Sequence, residues 1–168
     1  MLTVRTATLN DLSSISVIQA SCYSPEFLEN EAAFASKLQQ AAHICWLACV
    51  DQQVVAYLIS LPVSPDTFPQ LNATEFYLAP DATMLYLHDL AVHPDYRASG
   101  AGRQLIQRVQ IQARQLGFTT LSLIAVKDSS IYWQKHGFEI IDPAILNLQH
   151  KVASFGQSAC LMQQVLKA

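Results

Sequence analysis

The chain has 168 residues and a net charge of −3, from 13 acidic and 10 basic side chains. With 51% hydrophobic and only 14% charged residues, it is no disordered chain, and it lacks the basic face a nucleic-acid binder needs. No run of about 18 apolar residues is present to span a membrane, and the opening MLTVRTATLNDL has no apolar stretch of a secretory leader.

Four cysteines, Cys22, Cys45, Cys49 and Cys160, show no CxxC spacing. They read as reduced thiols of a cytoplasmic protein. The length suits one domain over residues 1–168 with a substantial core.

In chain order, Leu2 to Thr6 alternate like a strand. Asn10 or Asp11 can cap a helix carrying Leu12, Ile15, Ile18 and Gln19 at helical spacing. Cys22-Tyr23-Ser24-Pro25 breaks it. A second helix is expected from about Glu26 to Gln40, with Leu28, Ala32, Ala35 and Leu38 facing inward. His43 to Val50 and Val54 to Leu61 read as a hairpin around Asp51-Gln52-Gln53. His43, Cys45 and Cys49 would share a face of the first of these strands, where packing is the expected role and no metal site is predicted. Residues 62 to 83 hold four prolines and lose apolar periodicity. They form a long loop that is either functional or a solvated insertion with aromatics tucked beneath it.

Met84 to His93 is the next strand. A helix follows from Gly100 to Leu116, with Leu105, Ile106, Val109, Ala113 and Leu116 on one face. Thr119 to Val126 is a buried-type strand. Asp128 or Ser129 caps a short helix that Gly137 ends, and Phe138 to Ile141 and Ala159 to Leu166 are late strands joined by a polar connection. The order β-α-α-β-β-β-α-β-α-β-β describes a mixed α/β domain.

The stretch from Leu87 to Arg103 carries the chemical signal. A buried strand runs into Arg97-Ala98-Ser99-Gly100-Ala101-Gly102, whose side chains past Arg97 are too small to block a ligand, and then into a helix. The first N–H groups of a helix lack internal partners, and its dipole adds positive potential there. Such a terminus suits a pyrophosphate, with Arg97 and Arg103 adding charge. Neither a GxGxxG nor a GxxxxGK[ST] fingerprint is present.

Leu90-Ala91-Val92-His93-Pro94 followed by Arg97-x-x-Gly100-x-Gly102 resembles the signature of the GCN5-related N-acetyltransferase (GNAT) superfamily. Tyr132-Trp133-Gln134-Lys135-His136-Gly137-Phe138 resembles that family's second motif, and the element order fits nearly the whole chain. The resemblance implies a sheet of about 6–7 strands splayed between the fourth and fifth, flanked by about four helices. It implies acetyl-CoA as cosubstrate, with no metal, and transfer of the acetyl group to a primary amine. Leu90, Ala91 and Val92 would meet the pantetheine arm, and Arg97, Ala98, Ser99, Gly100, Ala101, Gly102 and Arg103 the pyrophosphate. Ser129 and Ser130 would meet the distal end.

Aminolysis of a thioester needs a neutral amine, and at pH 7 only about one in 10³ lysine-like amines is neutral. That shortfall corresponds to roughly 4–5 kcal/mol, so a base is expected. His88 is the candidate. On a regular strand it shares the cofactor-facing side with Tyr86, Leu90 and Val92, and Asp89 points away. His88-x-Leu90-Ala91-Val92-His93 is similar to arylalkylamine N-acetyltransferases. Where many family members place an acidic tyrosine, this chain has Trp133, which does not titrate and is expected to pack in the core. Either the adjacent Tyr132 acts as the acid or the coenzyme A thiol leaves unaided. The Leu90 N–H would meet the transition-state oxyanion.

The acceptor, a small-molecule or peptide amine, is expected among residues 22–27, 62–83 and 144–157. Glu26, Glu29, Glu31, Asp66, Glu75 and Asp81 there could attract a cation. No nucleic acid or membrane partner is expected, and a homodimer is left open. The alternative function is a catalytically silent acyl-CoA-binding regulatory module of the same fold.

Overall fold

The computed structural model describes residues 1–167. Seven strands form one mixed sheet in the order β1-β2-β3-β4-β5-β7-β6. These are β1 Leu2–Thr6, β2 Trp46–Val50, β3 Gln53–Val63, β4 Met84–Val92, β5 Thr120–Ala125, β6 Glu139–Ile141 and β7 Cys160–Val165. The α-helices are α1 Leu12–Cys22, α2 Glu31–Ala41, α3 Ala101–Gln115, α4 Ser130–Gln134 and α5 Gln149–Ala153. The last lies inside the expected polar connection, so the described residues hold five α-helices rather than about four.

α1 and α2 pack against β3, and α3 packs against β1 to β4. Helix α3 buries Leu105, Ile106, Val109 and Ala113, while Leu116, past its last turn, is exposed. Helix α2 begins later than its sequence suggests, where the Asn30 side chain accepts from the Ala33 N–H. Its buried face is Ala33, Phe34, Lys37, Leu38 and Ala41. Leu28 lies before the helix, Ala32 is exposed and Ala35 half-buried, so the true stripe is shifted and contains a lysine. Ala42–Ile44 is a 3-10 turn, which takes His43 off the strand it was expected to share with Cys45 and Cys49.

Strand β3 runs past Leu61 to Val63 and includes Pro62. Proline is tolerated because β2 pairs with β3 only as far as Leu58, leaving that edge unladdered. Residues 64–83 fold back on the molecule, with Phe68 and Phe76 buried and Tyr77 exposed.

Among the described residues, the one parallel pair is β4 with β5, from Met84↔Thr120 to Leu87↔Leu123. Beyond it β4 stays with β3, while β5 stays with β7 through Ile124↔Leu161 and Ala125↔Cys160. The strands part at that point and a gap opens between them. The β3–β4 register steps from Ile59↔Asp89 to Ser60↔Leu87, leaving His88 as the extra residue of a β-bulge.

Candidate active site

The gap is the head of a cleft of about 810 Å³. One wall is β4 from Leu87 to Val92; the other is Leu123, Ile124 and Val126. At one end lie Arg97, Gly100, Gly102 and Arg103; at the other lie Cys22, Tyr23, Phe27, Leu71 and Phe155.

The first end is built from backbone and small residues. Pro94–Ser99 turns as a 3-10 segment, and Gly100 takes φ +84° to start α3, a conformation that favours glycine. The Ser99 hydroxyl accepts from the Ala101 N–H. The next N–H groups of the first turn remain available to a ligand. A Cβ built on Gly102 would stand 2.9 Å from the Tyr132 hydroxyl and 3.4 Å from Val92 Cγ2, so only glycine keeps this floor clear. Among the predicted cofactor residues, Leu90, Ala91, Val92, Arg97, Gly100, Gly102, Arg103 and Ser129 line the cleft. Ala98, Ser99, Ala101 and Ser130 do not line it; Ala101 is buried beneath the helix start.

Backbone direction along β4 follows from one bond. The His93 N–H donates to Val55 O on β3. Alternation then turns the N–H and C=O of Leu90 and Val92 the other way, into the gap. Consistently, the Tyr23 hydroxyl donates toward Leu90 O at 2.9 Å and Cys22 Sγ toward Val92 O at 3.1 Å.

Side-chain direction differs from the regular-strand expectation. Directly paired residues share a face. Tyr86, Asp89 and Ala91 pair with Leu61, Ile59 and Tyr57, while Leu90 and Val92 pair with Leu58 and Ala56 on the opposite face. The bulge therefore separates His88 from Leu90 and Val92 and brings Asp89 to the side of Tyr86. The His88 imidazole stacks edge-on to Tyr86 and holds both oxygens of Glu29 through Nε2, at 2.9 and 3.0 Å. Its side chain is 1% exposed, that of Glu29 2% and that of Lys37 0%. The expected base thus borders the cleft with its side chain buried against Glu29, and among the described residues its Nδ1 has no hydrogen-bond partner.

Glu29 binds much else. Lys37 Nζ lies 3.5 Å from it, the Asn72 N–H donates to it at 2.7 Å, and its backbone N–H donates to Gln19 Oε1 at 3.1 Å. Burial would raise its carboxyl. The imidazole of His88, Lys37 and the Asn72 N–H outweigh that and hold it down to about 2. Lys37 is itself lowered by burial despite Glu29. Glu29 is therefore a buried anion held by His88, Lys37 and the Asn72 N–H, at the border of the cleft.

Asp89 sits between two phenols, accepting from Tyr23 at 2.7 Å and from Tyr57 at 2.6 Å. Burial pushes its carboxyl up to about 6 against these bonds. Lys127, in a left-handed turn after β5, places its ammonium 5.1 Å from the Phe27 ring and 5.8 Å from the Tyr23 ring. In α4, Trp133 packs edge-on to Phe138 and is buried, as expected. Tyr132 reaches Gly102 rather than the bulge.

Sequence reasoning missed Tyr23, Glu29 as a partner of His88, Lys37 and Lys127. Only Lys37 leaves a clear signal: it interrupts the stripe Phe34, Leu38, Ala41.

A model of the acetyltransferase (GNAT) family matches residues 12–138, most of the chain. The protein belongs to the GNAT family. It is 39% identical over 74 residues to an amino-acid acetyltransferase of Edwardsiella ictaluri, covering 44% of this chain but only 16% of that protein. Among solved structures it resembles the ribosomal-protein-S18-alanine N-acetyltransferase of Escherichia coli, with a TM-score of 0.71 at 19% identity, covering 100% of this chain and 96% of that one. It also resembles the N-acetylglutamate synthase of Neisseria gonorrhoeae, with a TM-score of 0.67 at 14% identity, covering 100% of this chain and 36% of that one. These two likenesses are of fold. No helix among the described residues is long and apolar enough to cross a membrane.

Proposed function

We propose that the protein is an acetyl-CoA-dependent N-acetyltransferase that moves an acetyl group directly to the amine of an amino acid. One observation carries this reading: a single cleft joins a helix N-terminus flanked by Arg97 and Arg103 to the gap between β4 and β5. The helix end would take the pyrophosphate. The outward N–H groups of Leu90 and Val92 would take the pantetheine amides and, at Leu90, the developing oxyanion. Ser129, in the wall beside Tyr132, would meet the distal arm.

Two things support an amino acid as acceptor. The Edwardsiella relative is named an amino-acid acetyltransferase. Lys127 offers a cation for a carboxylate beside the aromatic rings of Tyr23 and Phe27. His88 carries over with a changed role, as the residue that fixes the bulge through Glu29. Tyr132, over Gly102, would contact the cofactor, leaving the thiol of pKa about 8.5 to depart without a protein acid.

Thiol release from acetyl-CoA, measured over a panel of amino acids and their decarboxylated amines, tests the proposal. Release with amino acids, and much less with the decarboxylated set, is the expected result. Binding of acetyl-CoA with no release on any amine would instead identify the silent module.

A further inference from the structure

The polar groups at the β4 bulge form two hydrogen-bonded sets. His88 and Lys37 both meet the Glu29 carboxylate, with side chains at most 2% exposed, and His88 and Glu29 border the cleft. Asp89 is tied to Tyr57 beneath it and to Tyr23 beside it. Of this second set Tyr23 leads outward. It lines the cleft, its hydroxyl lies 2.9 Å from Leu90 O and 2.7 Å from Asp89 Oδ1, and its ring flanks Lys127. A thioester held at the Leu90 N–H and an amine approaching past Lys127 would meet beside this hydroxyl.

We propose that Tyr23 and Asp89 form the proton exit of the reaction, Tyr23 meeting the acceptor ammonium and Asp89 keeping its proton. This rests on the acetyltransferase reading above. The ammonium gives a proton to Tyr23 Oη as the Tyr23 hydroxyl proton passes to Asp89 Oδ1. Tyr23 is unchanged and the carboxylate becomes a carboxylic acid. The neutral amine forms the C–N bond to the acetyl carbon. As the C–S bond breaks, the sulfur keeps the electron pair and takes the second proton of the nitrogen. Asp89 then returns its proton to solvent through Tyr23.

The surroundings suit the task. Burial and the neighbouring carboxylate hold the Tyr23 phenol well above its usual range, so it relays a proton rather than ionising. Burial places the Asp89 carboxyl near neutrality, where a base works best. The ionisable groups around Asp89 are Cys22 at the end of α1 and Tyr23 just after it, Glu29 before α2 and Lys37 within it, Tyr57 from β3, and Tyr86 and His88 from β4. Among them Glu29 opposes a negative Asp89 while His88 favours it.

The test compares Tyr23→Phe and Asp89→Asn with the wild type at about pH 7 and about pH 10, reading kcat/KM for an amino acid together with acetyl-CoA affinity. Each variant should keep acetyl-CoA affinity within about twofold and lose roughly 10²-fold in kcat/KM at pH 7. The loss should shrink at least tenfold at pH 10, where most of the amine is already neutral. A loss that is the same at both pH values marks a structural role and overturns the relay, as does unchanged turnover in both variants. A wild type that binds acetyl-CoA and acetylates no amine overturns the acetyltransferase reading and the relay with it.

Discussion

The two ends of the cleft are built on different principles. The end at Arg97–Arg103 is local: a strand, a turn and a helix start supply backbone donors, and glycine keeps side chains out. The end at the bulge is non-local: Tyr23 after α1, Glu29 before α2, Lys37 within α2, Asn72 of the long loop and Asp89 of β4 meet there. The first would bind a phosphorylated ligand, as proposed above, with few side chains committed. The second holds buried charges that must all be present together. Removing one part should therefore weaken binding at the first end, and removing one partner of the buried Glu29–Lys37 pair should destabilise the fold at the second.

The largest effect is expected at Glu29. Glu29→Ala leaves the buried Lys37 without its carboxylate, a loss of about 3–5 kcal/mol for a broken buried pair. Thermal denaturation should show a Tm lower by roughly 6–20 °C. A Tm within a degree or two of wild type would break the contrast between the ends.

The pH dependence of stability comes next, and the two carboxyls act oppositely. Asp89 is raised from 3.8 to about 6, so the folded state holds that proton longer and stability falls as pH rises through that interval. Glu29 is lowered from 4.5 to about 2, so its contribution is complete above about 4.5 and is lost as pH falls toward 2. Asp89→Asn should flatten the decline in Tm between pH 4 and pH 7 without altering the acid limb. An unchanged slope in that variant would contradict the assignment.

Smaller effects are expected in ligand affinity rather than folding, one at each end. Gly102→Val fills the floor against Tyr132 and Val92. It should weaken acetyl-CoA at least tenfold, about 1.4 kcal/mol, in a calorimetric titration. Lys127→Ala should raise KM for the amino acid several-fold and leave acetyl-CoA affinity unchanged, because an exposed cation contributes modestly. Equal effects on both ligands would show that the ends are not separable.

The same contrast decides what was legible in the sequence. Gly100, Gly102 and the apolar face of α3 lie within one stretch, so their spacing together with the family resemblance pointed to the first end. The splay followed from the family resemblance and appears where β4–β5 pairing stops at Leu87↔Leu123. The bulge at His88 was not readable as a change of face. It depends on the partner strand skipping a residue between Ile59 and Ser60, and a one-residue step reverses every side chain beyond it. That step turned Asp89 from a bystander into a cleft residue and moved Leu90 and Val92 to the other side. Likewise, the late start of α2 at Glu31 turned Lys37 inward, and its partner Glu29 lies outside the helix.

The most direct test of the central claim is a calorimetric titration of acetyl-CoA into the wild type and Gly102→Val. One-to-one binding by the wild type, weakened at least tenfold in the variant, is the predicted result. Absence of binding by the wild type, or equal binding by both proteins, would contradict a cofactor seated on the α3 terminus and in the gap between β4 and β5.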